Sequence, residues 1–576
     1  MDDIYDPLDE YVNVFRDRFR EVAEKTFAEL AGEAAVDVDA NRETCRQLYA
    51  AEEKLSSVNS SRSGWIFWCV FLWLAAAGGA AAVVFMAEDI DRQTLAMVAA
   101  AVGVVVIYLC FRVHPKLHAL KKEQKRLSAA VSGFKDDAWK QMAPLNRLYD
   151  WDVFARMMSR TVPRLEFDPY FTTQRLADLE TTYGWDGSFN ADRSVLYSHS
   201  GLINGNPFVM CRTRKMNMGV KTYTGTKTIT WTTREQGSDG EMHTVQHSEV
   251  LTATVTAPYP EYFEKTRLIY GNTAAPDLIF HRRQSGLAGK EDSLSFKWKR
   301  RSLRRKARNL DNADFAMMTN EDFEVAFNTS DRNSNQQFAL LFTPLAQESM
   351  MELLEDNGAG YGDDFDFDKE KMINVVIPDH LQNLQLDMNP DQYASFDYDK
   401  AEKGFIDINA RHFRAIYFSF APLLCVPMYQ QIRPQSAIYG RDMKRVSSFW
   451  EHEALANFWG QERFKHHDCV TDCILKTEQH MDGADDSTIV VHAYGYRSER
   501  RLSYVSKWGG DGQMHKVPVY WEEYLPVTGS GEIKMKEDNG FNDDSLTQAE
   551  RLAHEDEVLG RNGLAVYRRH IASKVL

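Results

Sequence analysis

The chain has 576 residues, a net charge of −15, 44% apolar residues and 12% aromatic residues. That much apolar material excludes a disordered tail, and the acidic balance disfavours nucleic acid as the main partner, because phosphate binding runs on positive charge. The seven cysteines, two of them (Cys69 and Cys110) inside apolar runs, do not make a disulfide framework.

Residues 1–60 predict cytoplasmic helices. Asp6 followed by Pro7 is a helix start, and Leu8, Val12, Phe15, Phe19, Val22 and Leu30 follow with helical spacing. A second helical segment, Asn41–Val58, leads to residues 61–114, which carry two apolar runs, 64–86 and 94–111, free of Asp, Glu, Lys, Arg and His. At 1.5 Å per residue these runs reach about 34 and about 27 Å, enough to cross a hydrocarbon core. They predict a two-helix transmembrane hairpin closed by the short loop Ala87 to Gln93.

Basic residues orient it. Arg46, Lys54 and Arg62 precede the first run, and Arg112, Lys116, Lys121, Lys122, Lys125 and Arg126 follow the second. The loop sets Arg92 against Glu88, Asp89 and Asp91. The positive-inside rule then puts both termini in the cytoplasm, and Trp65, Trp68 and Tyr108 fall at the cytoplasmic interface. Small residues four apart (Ala75 and Gly79, Gly78 and Ala82, Ala99 and Gly103) align on helix faces that either close the hairpin or join copies of the chain as a homo-oligomer. The lack of intramembrane charge argues against a pump or proton relay.

Residues 115–162 predict a charged helical stalk beginning at Pro115. From residue 163 the texture turns to Thr, Tyr, Val and Gly in alternation. Lys227–Thr233 and Val250–Ala257 read as strands around a turn at Gly237–Gly240, giving a β-rich cytoplasmic domain over 163–296. A basic segment at 297–320 follows, read as a linker or a helix start. A second α+β domain spans 321–576. It has a helix at Leu345–Glu355, an acidic glycine-rich loop at Asp356–Asp368, strands at Met372–Ile377 and Ile416–Met428, and a helix at Val446–Thr477. Strands follow at Thr488–Tyr496, Leu502–Lys507 and Lys516–Tyr520, and then a helix capped by Thr547 and Glu550. The fold class is α+β: a transmembrane hairpin, a stalk and a large β-rich body of one or two β-containing subdomains. The pattern G-x-D-G-x-M-H-x-V occurs twice, at 237–245 and 509–517, as convergent hairpins or a duplicated β-unit.

Residues Asp322–Leu354 combine Phe323-x-Val325, Ser330-Asp331, Leu340–Pro344 and a following Met/Leu-rich helix. In this they resemble a segment of an uncharacterised family of bacterial membrane proteins that carry a short membrane hairpin and a cytoplasmic domain. A weaker similarity lies at Ala415–Pro427, where a strand pair would sit. The chain departs from that family in its large insertions. The resemblance implies a bacterial origin, and the family has no established activity to carry over, so no functional residue is transferred.

The candidate chemistry is sparse. Lys297, Lys299, Arg300, Arg301, Arg304, Arg305, Lys306 and Arg308 form a run that suits anionic lipid headgroups or another anion, with Trp298 as an interface-seeking ring. The acidic loop at 356–368 is its alternative partner. His466, Cys469 and Cys473 would share one face of a helix and suit zinc, with His467 adjacent and His480 too far along, but no second ligand pair accompanies them. No metal or cofactor is therefore assigned. Glu451-His452-Glu453 lacks the second histidine of a metalloprotease. The acids 364, 366 and 368 lack the glycine of a calcium loop. The expectation is a membrane-anchored scaffold with a protein partner. The alternatives are a tethered enzyme whose site comes from residues distant in sequence, and, more weakly, an oligomeric channel.

Overall fold

The computed structural model describes residues 4–85, 92–236, 241–308, 315–434, 446–481, 487–538 and 546–576. The turn at 237–240 and the loop acids Glu88, Asp89 and Asp91 lie outside them. The chain is α+β and divides into two compact units. One comprises Glu24–Tyr149 with Pro390–Ile408. The other comprises Met1–Ala23, Asp150–Asn389 and Asn409–Leu576.

The helical unit is built on Val38–Phe85, which packs along Arg92–Tyr108 and His114–Arg147. Two helices are long and apolar enough to cross a membrane, and only 6% and 11% of their apolar windows are buried. Between them Cys69, Leu109 and Val113 form a small core with Trp65, Leu72, Val105 and Leu117. Gly79 meets the second helix, since a Cβ there would lie 2.7 Å from Val102 Cγ2. Gly78 and Gly103 have open space instead. Further along, Gln124 links Arg62 (2.7 Å) to Asn59 (2.8 Å). The segment 390–408 clamps the helices through Asn41, which donates to the Phe396 carbonyl at 3.0 Å, and through Tyr149 stacked on Phe405.

The β-rich unit holds two antiparallel sheets. The first has the order β1-β2-β3-β4-β7-β6-β5, from β1 (Leu165–Phe167), β2 (Arg193–Ile203), β3 (Asn206–Gln236), β4 (Met242–Gly271), β5 (Ile279–Arg282), β6 (Phe365–Glu370) and β7 (Ile373–Pro378). It therefore takes strands from both sides of the basic segment. The second has the order β11-β12-β10-β9-β8, from β8 (Ile474–Met481), β9 (Ser487–Trp508), β10 (Met514–Glu537), β11 (Val566–Arg568) and β12 (Ile571–Val575).

Two hairpins are far longer than ordinary strands. β3 and β4 stay in register from Phe208↔Tyr270 to Gln236↔Met242, and β9 and β10 from Ser487↔Met535 to Trp508↔Met514. Their roots bury Val209, Cys211 and Ile269 in one core and Ile489, Val491, Ile533 and Met535 in another. Their far halves bury each other: Ile229, Leu251 and Ala253 face Val517 and Val519. Alternation explains the arms. From Tyr223 to Thr233 the odd positions of β3 turn inward, while Thr222, Thr224, Thr226, Thr228, Thr230 and Thr232 form the exposed face, where β-branched residues favour an extended chain. The repeated Met-His pairs open β4 and β10 at the two hairpin ends.

The arms approach closely at Gly225, where a Cβ would fall on the Pro518 carbonyl oxygen and 2.9 Å from Val519 Cα. Gly225→Ala is expected to push the hairpins apart and cost about 1–3 kcal/mol, read as faster amide exchange in both far halves. Gly404→Ala, in a helix where nothing lies within 4 Å of the new Cβ, is expected to stabilise by about 0.5–1 kcal/mol. Equal behaviour of the two variants would contradict the close approach.

Three expectations are corrected. Residues Ile416–Met428 are not strands: they belong to the helix Tyr398–Leu424 and the short helix Pro427–Gln431. Ile416, Tyr417, Phe420, Leu423 and Leu424 are all buried, and an all-apolar run carries no periodicity to separate strand from helix. The helix expected over Val446–Thr477 spans only Phe449–Trp459, ended by Gly460 at φ +93°, and the chain becomes β8 at Ile474. The acidic loop ends in β6, where Asp366 and Asp368 take one strand face and pair with Arg283, so these acids do not neutralise the basic run.

Candidate functional site

Ionisable side chains converge in the β-rich unit, in a cluster built from five stretches of chain. The helix Phe449–Trp459 crosses β2 and β8. Its Glu451 accepts from Ser198 Oγ at 2.9 Å and from Arg569 Nη2 at 3.0 Å, while Arg569 also donates to the Ser198 carbonyl at 2.7 Å. Arg568 donates to Asp387 at 2.7 Å. Two residues on, Glu453 accepts from Asn190 (3.0 Å), from the Val195 N–H (3.0 Å) and from Lys476 (2.9 Å).

Beyond Arg569 lies a second knot. Arg156 pairs with Asp150 at 2.7 Å, His570 with Asp152 at 3.4 Å, and His554 with Asp538 at 2.7 Å. Burial pushes the Glu555 carboxyl up to about 8, helped by the negative charges of Asp150 and Asp152. Burial opposes the charge on Asp152 as well, but the hydrogen bond and charge of His570 outweigh it and hold Asp152 down to about 2. The same Asp152 contacts raise His570 against its own desolvation.

Such a set has the donors and acceptors of acid–base chemistry, but the cleft enclosed by Asp150, Asp152, Arg156, Glu555, Tyr567 and His570 measures only about 20 Å³. That is room for about one water molecule. The charges face one another and tie β2, β8, the β11–β12 turn and the helix together. Sequence reasoning missed this network. Its parts, Glu451-His452-Glu453 and Arg568-Arg569-His570, are visible as short motifs, but nothing local says that they meet.

The basic run is a helix, Leu294–Arg308, and not a linker. Phe296 and Leu303 are buried with Phe315 and Val325. Three of the eight charges turn back onto the fold: Arg300 pairs with Asp322, Arg304 donates to Glu321 at 2.8 Å, and Lys306 donates to the Ser330 carbonyl at 2.6 Å. Lys297 bonds the Asp292 carbonyl at 2.9 Å. Lys299, Arg301, Arg305 and Arg308 pair with no group among the described residues.

His466, Cys469 and Cys473 lie on the loop before β8, so no helix face unites them. Cys469 and Cys473 do meet, Sγ to Sγ at 3.6 Å, in the core beneath Gly495. Burial, with the hydrogen bond to Cys469, pushes the Cys473 thiol up to about 12. His466 groups instead with His467 and Asp468, their ligand atoms within 4.8 Å at the partly exposed surface.

One further surface was not anticipated. On the β9–β10 hairpin, odd positions near the tip face the β3–β4 arm, and even positions face outward. The outward pairs are Trp508↔Met514, Tyr504↔Pro518 and Leu502↔Tyr520. Trp508 is 67% exposed and Tyr504 62%. Arg500 lies over the Tyr520 ring at 4.1 Å, and Lys516 stands among them. The alternation of Leu502, Tyr504 and Trp508 with polar residues is readable in the chain. It does not tell which face is covered. No protein-family model, no curated protein and no solved structure matches this chain.

Proposed function

We propose that this protein is a membrane-anchored scaffold of the bacterial inner membrane, with both termini in the cytoplasm, that holds a protein partner on the outward face of its β9–β10 hairpin. The observation that carries the reading is the set of outward cross-strand apolar pairs Trp508↔Met514, Tyr504↔Pro518 and Leu502↔Tyr520, interrupted only by Ser506↔Lys516, on one two-stranded arm. Flat aromatic patches with a basic rim are where interface energy concentrates. Gly78 and Gly103, open to their surroundings, support assembly of copies within the membrane. The small ionic cleft supports a structural role for the buried acids rather than an enzyme site.

Placing the photo-crosslinking residue p-benzoyl-phenylalanine at Trp508 in cells is expected to give one adduct of defined mass. Tyr504→Asp is expected to reduce it by about tenfold or more while leaving the folded yield unchanged. An adduct of twice the chain mass would identify a second copy as the partner. No protein adduct from either Trp508 or Tyr504 would remove the reading.

A further inference from the structure

We propose that the outward face of the helix Leu294–Arg308 docks on an anionic lipid surface. Spacings of four and three place Leu294, Trp298, Arg301, Arg305 and Arg308 on one stripe, opposite the buried Phe296 and Leu303. Leu294 is 86% exposed and Trp298 66%, an apolar end that the fold leaves uncovered. The charges that the fold neutralises, Arg300, Arg304 and Lys306, all lie off this stripe. Arg301, Arg305 and Arg308 have no acid against them among the described residues.

The helix therefore separates two sets of basic residues: one holds the fold together, and the other faces outward beside a tryptophan. In a chain of net charge −15, a cationic stripe without a counter-ion among the described residues selects an anionic partner. A tryptophan and a leucine on the same stripe favour one that also offers apolar depth, as a bilayer interface does and a soluble acidic peptide does not. The inference rests on the membrane-anchored part of the reading above and is independent of any protein partner.

The test uses the full chain in nanodiscs of phosphatidylcholine alone or mixed with phosphatidylglycerol. Photo-crosslinking p-benzoyl-phenylalanine replaces Trp298 in one sample, Leu294 in a second and Phe67, on the first apolar helix, in a third. Position 298 or 294 is expected to yield a phosphatidylglycerol adduct in mixed discs and little in neutral ones. Arg301→Glu, Arg305→Glu and Arg308→Glu together are expected to lower it by about tenfold or more. Lipid adducts at Phe67 with none at 294 or 298 would overturn this inference and leave the anchor standing. Absence of lipid adducts at all three positions would overturn both. Equal adducts in neutral and anionic discs would overturn the charge argument, and so would adducts to protein or nucleic acid alone.

Discussion

Glu451→Ala is expected to lower the unfolding free energy of the β-rich unit by about 3–5 kcal/mol, the usual cost of stripping one partner from a buried ion pair. Glu451 is fully enclosed and is the carboxylate closest to Arg569, which is itself buried. Without it the guanidinium of Arg569 keeps the Ser198 carbonyl and loses its counter-ion. Arg568 keeps Asp387 alone, having had Glu451 at 3.6 Å as well. The Ser198 hydroxyl loses its acceptor too. Burial opposes the charge on Arg569, and the negative charges of Glu451 and Asp387 outweigh it, so its pKa stands above the ordinary guanidinium value.

A guanidinium does not deprotonate in a protein even without that carboxylate, so the unpaired charge must open the packing or admit water. Glu451→Gln keeps the shape and one acceptor oxygen and is expected to cost less. Denaturant unfolding followed by tryptophan fluorescence checks this, because Trp450 is adjacent in the chain. An Ala variant within about 1 kcal/mol of the native protein would show that the network does not hold the helix between the sheets.

The second large effect is loss of stability in mild acid. Burial pushes His412 down to about 3 and His452 to about 4. It also pushes His199 to about 4, where the Arg569 charge adds to the effect. In the unfolded chain each titrates near its ordinary 6.5. Between about pH 4 and 6.5 the unfolded chain thus binds three more protons than the folded one, so the stability these rings contribute is lost as pH falls through that window. Glu555 acts in the opposite sense. Held up to about 8, it keeps a proton in the folded chain that the unfolded chain releases above its ordinary 4.5, and this contribution fades as pH rises towards 8.

Glu352, held up to about 7 by its hydrogen bond with Asp6 and by burial, acts in the same sense as Glu555, so the balance is about one proton taken up on unfolding near pH 5.5, a slope of roughly 1 kcal/mol per pH unit. His412→Phe is the clean probe, because the ring sits edge-on to Phe154 at 4.5 Å and a phenyl fills the same space without titrating. Its unfolding midpoint, followed from pH 7 to pH 5, is expected to fall less steeply than that of the native chain by one proton's share. An unchanged slope would mean that His412 is already charged in the folded chain.

Legibility followed the range of the interactions. The apolar helices declare themselves because a membrane solvent acts on each residue separately, and Asp6-Pro7 and Thr547…Glu550 cap their helices as read, since a cap closes within four residues. The threonine alternation of β3 is equally local. Within the helix Tyr398–Leu424 the sequence from Ile416 onward suggests a strand, because burial on every side erases the period that distinguishes a helix from a strand. The zinc-like face of His466, Cys469 and Cys473 dissolved because Gly460 had already ended the helix that would have formed it.

Residue order alone thus determined the two long apolar helices, the helix caps, the strand alternation and the presence of a cationic segment, each a property of neighbours within a few positions. Folding in three dimensions decided the rest. Glu451 meets Ser198 and Arg569 across 253 and 118 residues, and the basic helix keeps some charges for the fold and turns others outward. The β9–β10 arm buries its odd positions on β3–β4 and leaves Tyr504 and Trp508 exposed. Pairing a charge or covering a face depends on what else is packed there, and only the whole chain supplies that partner.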